Sequence, residues 1–139
     1  RQSGQPLALM MADLDHFKQV NDRYGHPVGN EVLRITAELL RGVCRAQDVV
    51  ARYGGEEFLI AMPNTTSLDA GAIAEGVRLA VAHHNWATIA PDLAVTISIG
   101  VAALGERTYA EAVGEADQML YAAKNGGRNQ VVVAADPAP

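Results

Sequence analysis

At 139 residues the chain has the length of one domain, enough for a single core and too little for two. Its 49% hydrophobic and 19% charged residues are those of a soluble globular protein, and neither a membrane segment nor a signal peptide is expected. A net charge of −5 argues against general nucleic-acid binding, and the single cysteine, Cys44, excludes an intrachain disulfide and fits a reducing, cytoplasmic setting.

Leu7–Leu14 (LALMMADL) is a short apolar run bounded by Pro6 and by Asp13 and Asp15, which predicts a buried strand. Residues 16–30 (HFKQVNDRYGHPVGN) are polar and carry Gly25, Pro27 and Gly29, which predicts a short helix followed by a turn. In EVLRITAELLRGVC, Val32, Ile35, Leu39 and Val43 recur at helical spacing, with Gly42 near the end. VVARY and FLIAM then read as two strands of a hairpin, and the adjacent Gly54 and Gly55 between them suggest a tight turn.

SLDAGAIAEGVRLAVAHH repeats Ala72, Ile73, Val77, Ala80 and Val81, a helix with a small-residue face. AVTISIGVA alternates Val95, Ile97, Ile99 and Val101 against Thr96, Ser98 and Gly100, a half-buried strand. Thr108 and Glu111 form a capping box for a helix that runs to about Asn125 and ends at Gly126-Gly127, and QVVVA is a last strand. Residues 134–139 are expected to form a disordered tail. The order β-α-α-β-β-α-β-α-β predicts an α+β fold, a ferredoxin-like antiparallel sheet with helices packed on it.

In such a sheet the first strand and the hairpin can lie side by side. Asp13 and Asp15 would then face Glu56 and Glu57, with two or three carboxylates in reach of one ion. Hard oxygen ligands of this kind suit Mg²⁺, which takes one or two carboxylates together with phosphate oxygens. Solvated strand-end and turn acids are the alternative. His16, Phe17 and Lys18 open the short helix, where free backbone N–H groups can hold phosphate. Lys124 and Arg128 lie at the end of the last helix, either as cations complementing the helix dipole or as a triphosphate clamp. Asn21 and Asn30 can hydrogen-bond a nucleobase edge or simply form turns, and His26 has the same turn reading.

DLDHFKQVND, GHPVGN, RYGGEEF, VTISIGVA and ADQMLYAAKNGGRNQV, in that order and spacing, resemble the GGDEF family of diguanylate cyclases from about Leu7 to Val133. The resemblance implies a fold related to nucleotide cyclases and polymerase palms. It also implies condensation of two GTP into cyclic di-GMP with release of two pyrophosphates, with Mg²⁺ or Mn²⁺ as cofactor. By the same resemblance Asp13 and the Leu14 carbonyl are metal ligands, and Glu56 is both a metal ligand and the proton acceptor, with Glu57 in support. Asn21 and Asn30 would bind guanine, with His26 on the same segment. The backbone of His16, Phe17 and Lys18 would hold phosphates beside Lys124 and Arg128, and Gly54 and Gly55 would leave room for the nucleotide. Each domain would bind one GTP, so a homodimer is implied.

Arg45-Ala46-Gln47-Asp48 matches the family's RxxD inhibitory motif, which implies product inhibition by cyclic di-GMP at Arg45 and Asp48. Two departures stand out. Asn30 occupies a position where the family usually has Asp, which implies looser base selection because an amide cannot accept from guanine N1–H and N2–H together. The DxLTxLxNR segment and helix that precede the first strand in the family are not part of the chain. A catalytically silent module that binds cyclic di-GMP or GTP is the alternative reading, but such modules usually lose residues of the GGEEF turn, and all five are present.

Overall fold

The computed structural model describes residues 4–137. Five strands and four α-helices follow one another as β1 (Leu7–Leu14), α1 (Phe17–Tyr24), α2 (His26–Val43), β2 (Val49–Arg52), β3 (Glu57–Pro63), α3 (Ser67–His83), β4 (Ile97–Ala103), α4 (Tyr109–Asn125) and β5 (Val131–Val133). One sheet has the order β2-β3-β1-β4-β5. β1 is antiparallel to both β3 and β4, and β2 is antiparallel to β3. This is the expected ferredoxin-like arrangement. β5 departs from it, running parallel to β4, because a helix rather than a hairpin connects the two.

The central strand explains its own composition. Ala8, Met10, Ala12 and Leu14 pack with residues of α2 and α3, among them Val32, Leu40, Ala74 and Val77. Leu9 and Met11 face the opposite way, into clusters with Ala112, Ala116 and Leu120 of α4. A strand covered on both faces has no need of polar alternation, and LALMMADL shows none until Asp13. Asp13 shares the α4 face with Leu9 and Met11. Gly100 makes that face close: a Cβ there would lie 2.2 Å from Ala116 O and Leu120 N.

The segment GHPVGN is not a turn. Gly25, at φ 93°, makes the break, and α2 starts at His26 with Pro27 in its first turn, where a missing N–H costs nothing. Gly29 lies inside that helix because α1 fills the space its side chain would need; a Cβ would sit 1.8 Å from Asn21 Oδ1. The hairpin also differs from expectation. Neither Gly54 nor Gly55 has a positive φ, and Arg52 pairs with Phe58, so a wider loop replaces the tight two-residue turn. Glu57 has already joined β3, and its carbonyl closes the loop by accepting from Tyr53 N at 2.8 Å.

The remaining boundaries follow local chemistry. Thr108 and Glu111 form the expected capping box at the start of α4. β4 begins at Ile97 rather than Ala94, although the Thr96 carbonyl still accepts from Asp15 N at 2.9 Å. Of the expected tail, residues 134–137 are described, and residues 138–139 lie outside the described residues. Ala134 N donates to Val101 O at 2.8 Å and Asp136 accepts from Ser67 Oγ at 2.5 Å. No helix among the described residues is long and apolar enough to cross a membrane.

Candidate active site

Three elements meet at one end of the sheet: the end of β1, the β2–β3 loop and the last turn of α4. In the ladder Asp13 stands opposite Glu57 on β3 and opposite Ser98 on β4, so all three side chains share the α4 face. Leu14 N donates to Glu56 O at 3.3 Å, which clasps the loop to the strand end. The two acidic segments that are 40-odd positions apart in sequence are thereby neighbours.

Into this corner α4 delivers Lys124. Its Nζ donates to Asp15 Oδ1 at 2.9 Å, to Asp13 Oδ1 at 3.3 Å, and to the carbonyl oxygens of Leu14 at 3.3 Å and Asp13 at 3.4 Å. Burial pushes the Asp13 carboxyl up to about 7; Lys124 opposes this, while the charges of Glu56 and Glu57 add to it.

Asp15 has the opposite character. It is 3% exposed, and it accepts from Thr96 Oγ1 and Ser98 Oγ, both at 2.7 Å, from Asn129 N at 3.0 Å, and from Lys124. Burial pulls its pKa upward, but the hydrogen bonds from Lys124, Ser98 and Thr96 outweigh that and hold it below the usual value. Asp15 is thus a fixed anion tying β1, β4, α4 and the loop after α4 together. Thr96, Ser98 and Asn129 carry no functional reading in the sequence; the signal is polar Ser98 in a strand buried on both faces, with Thr96 just before it. Arg78 of α3, paired with Glu75, also reaches Asn129 Oδ1 at 3.0 Å.

A family model described as "Diguanylate cyclase, GGDEF domain" matches residues 1–130. The chain belongs to the GGDEF family. It is 46% identical over 134 residues to response regulator PleD of Caulobacter vibrioides, covering 93% of this chain and 29% of that one. With diguanylate cyclase DgcP of Pseudomonas aeruginosa it shares 44% over 133 residues, 94% of this chain and 20% of the other. The chain therefore spans less than a third of the length of these relatives. Among solved structures, the active GGEEF domain of a diguanylate cyclase from Vibrio cholerae superposes with TM-score 0.89 at 35% identity, covering 96% of this chain and 85% of that one. The GGDEF domain of DgcB from Caulobacter crescentus in complex with c-di-GMP gives 0.87 at 34%, covering 94% and 78%.

The other expected site residues fall in four places. His16, at φ 57°, precedes α1 without a side-chain cap, so the helix N-terminus at Phe17 and Lys18 is open; Lys18 itself turns away to Asp22 at 2.9 Å. Asn21 is half-buried beside Gly29, and its Oδ1 is a buried acceptor with no hydrogen-bond partner among the described residues, while His26 and Asn30 lie exposed on the first turns of α2. Gly55 faces open space, and Gly54 lies under the Glu57 side chain. The structure separates Lys124 from Arg128: one is drawn into the carboxylates, the other is exposed on a left-handed backbone at φ 63°.

Among the described residues no group of three His, Cys, Asp or Glu side chains is gathered closely enough to hold a metal by itself. The donor chemistry nonetheless fits a hard cation. Asp13 Oδ1 and the Leu14 carbonyl already surround a positive charge, the Lys124 ammonium, with oxygen only. At the other end of β2, Arg45 and Asp48 face a recess of about 250 Å³ lined also by Arg41, Cys44, Ala46 and Val50. Arg45 donates to Asp48 from its backbone N at 2.8 Å and from Nη2 at 2.8 Å, and also to Thr65 Oγ1. The Asp48 side chain is fully covered, whereas that of Arg45 is 35% exposed.

Proposed function

We propose that this domain condenses two GTP molecules into cyclic di-GMP and releases two pyrophosphates. The observation that carries the reading is the register of β1 against β3, in which Asp13 faces Glu57 and Leu14 is hydrogen-bonded to Glu56. Two relatives named as diguanylate cyclases or response regulators of this family, and the active GGEEF domain from Vibrio cholerae, support it.

Asn21 Oδ1, a buried acceptor without a hydrogen-bond partner among the described residues, offers itself to the guanine N–H groups, and Asn30 adds one more acceptor from α2. The open N–H groups of His16, Phe17 and Lys18 bind phosphate oxygens, with Arg128 and Lys124 as side-chain partners. Gly54 and Gly55 keep the loop free of side chains under the ribose and base. Asp13 and Glu56, with the Leu14 carbonyl and with Glu57 in support, would hold Mg²⁺ or Mn²⁺, which supplies charge neutralisation on the triphosphate. Glu56 takes the proton of the attacking 3′-hydroxyl. The 3′-oxygen forms a bond to the α-phosphorus of the second nucleotide, and the bond to the pyrophosphate oxygen breaks.

Each domain presents one nucleotide and the product needs two such bonds, so two domains must face each other as a homodimer. Arg45 and Asp48 form an inhibitory site for the product. The reaction is tested by incubating the domain with GTP and Mg²⁺ and resolving the nucleotides by chromatography. Cyclic di-GMP is expected, and Glu56→Gln should abolish it; equal product from Glu56→Gln would refute the role of that residue. Adding ATP tests Asn30: a mixed cyclic dinucleotide is expected in the wild type and not in Asn30→Asp.

A further inference from the structure

Lys124 is turned into the carboxylates at the end of β1 and does not stand free for a phosphate. Its ammonium lies within 3.4 Å of four oxygens: Asp15 Oδ1, Asp13 Oδ1 and the carbonyls of Leu14 and Asp13. Two of these, Asp13 Oδ1 and the Leu14 carbonyl, come from groups assigned above to the metal. An ammonium has three protons, so it cannot satisfy four acceptors at once. The nitrogen acts here as a compact point charge in an oxygen cradle, not as one half of a directional pair. It is held there by packing as well as charge, because Gly100 lets α4 approach the sheet at backbone contact distance. The side chain remains 19% exposed, with solvent on one flank.

We infer that Lys124 is the resident cation of the metal cradle, holding the oxygens of Asp13 and Leu14 until a divalent ion replaces it and its ammonium passes to the triphosphate. The inference rests on the metal and phosphate roles proposed above. A divalent ion and an ammonium cannot share the same oxygens, since each would repel the other at ligand distance. Lysine suits such an exchange: its long stem carries the charge from one oxygen set to another, where the rigid fork of an arginine would need a matching plane. Without nucleotide, the metal must displace Lys124 into water. With nucleotide bound, the displaced ammonium finds phosphate oxygens. Metal and nucleotide therefore bind with positive coupling, each raising the affinity of the other by the same factor.

The test follows Mn²⁺ binding to the nucleotide-free domain by electron paramagnetic resonance, in wild type, Lys124→Met and Asp13→Asn. It is repeated with a GTP analogue whose α–β bridge is a methylene, so that no turnover occurs. Lys124→Met should tighten nucleotide-free Mn²⁺ binding at least about fivefold, the low end of ordinary coupling between sites. It should also shrink the gain that the analogue gives the wild type. Removing any nearby charge would help Mn²⁺ somewhat, so a second readout watches Lys124 itself. In ¹⁵Nζ-labelled wild type its ammonium should give a solvent-protected resonance that Mg²⁺ abolishes or shifts. Unchanged Mn²⁺ affinity in Lys124→Met, or a Lys124 resonance unmoved by saturating Mg²⁺, overturns the inference while leaving Asp13 as a ligand. Mn²⁺ binding that Asp13→Asn does not weaken overturns the metal assignment and this inference with it.

Discussion

The backbone N–H of Asn129 donates to Asp15 Oδ2 at 3.0 Å, joining the loop after α4 to the end of β1 across 114 residues of sequence. That bond fixes Arg128, one residue away, relative to the strand that carries Asp13. Asp15 is the buried anion on which Lys124, Thr96 and Ser98 also converge, so removing it leaves the two hydroxyls without their acceptor and takes from Lys124 its shortest contact. Asp15→Ala should destabilise the domain by about 1–3 kcal/mol, the usual cost of leaving buried donors without their acceptor. Urea unfolding measures it. A loss typical of a surface change would show that the four donors find other partners.

The two aspartates of the DLD motif should respond to pH in opposite directions. Asp13 has a folded pKa of about 7, above its ordinary 3.8. Its contribution to stability is therefore complete below 3.8 and is lost as pH rises through about 7. Asp15 is held below its ordinary value, so its contribution is complete above 3.8 and is lost as pH falls. The metal-free domain, kept in a chelator, should unfold at a lower urea concentration at pH 8 than at pH 5, and Asp13→Asn should flatten that decline. A decline of the same size in Asp13→Asn would assign it to another group.

Gly29 offers a way to disturb nucleotide binding without disturbing the fold. A Cβ there would displace the Asn21 amide, with Oδ1 at 1.8 Å and Cγ at 2.9 Å, while Phe17 Cζ lies at 3.3 Å. Alanine also gains about 1 kcal/mol of helix propensity over glycine, which offsets the crowding. Gly29→Ala should thus keep its unfolding midpoint close to the wild-type value while its KM for GTP rises severalfold. A KM that stays put would remove Asn21 from the guanine site.

These residues also show where the sequence was legible and where it was not. The strands are legible from local patterns: LALMMADL is an apolar run, unbroken up to Asp13, that is buried on both faces, and EFLIAMP alternates buried and half-buried positions. GHPVGN has the composition of a turn because glycine and proline mark turns and helix starts alike, and only the position of α1 reveals that Gly29 is a packing glycine. The same limit applied to Gly54 and Gly55, whose backbone needs no left-handed angle. Lys124 and Arg128 were read together from their spacing. Their side chains part because Asp13 and Asp15, more than 100 positions upstream, attract only the first. The environment of Asp15 comes from residues 96, 98, 124 and 129, a convergence that no short-range pattern contains.

Arg45 should carry product inhibition. Its guanidinium is engaged by Asp48 and Thr65, yet remains partly exposed beside the recess, so a phosphate can compete for it. Losing a hydrogen-bonding fork to an anion is worth about 1.5–3 kcal/mol, so Arg45→Ala should raise the inhibition constant for cyclic di-GMP by roughly tenfold or more. Initial rates across a series of added cyclic di-GMP measure this. An unchanged constant would place the inhibitory site elsewhere.

On the function proposed above, two copies of the site, each built from the end of β1 and the β2–β3 loop, together join two GTP molecules. The most direct test is the rate of cyclic di-GMP formation from GTP and Mg²⁺ as a function of domain concentration. The rate per domain should climb with concentration before it levels, and Glu56→Gln should give no product at any concentration. Cyclic di-GMP that binds the domain, with no product from GTP at any concentration, would contradict it and leave a binding module in place of an enzyme.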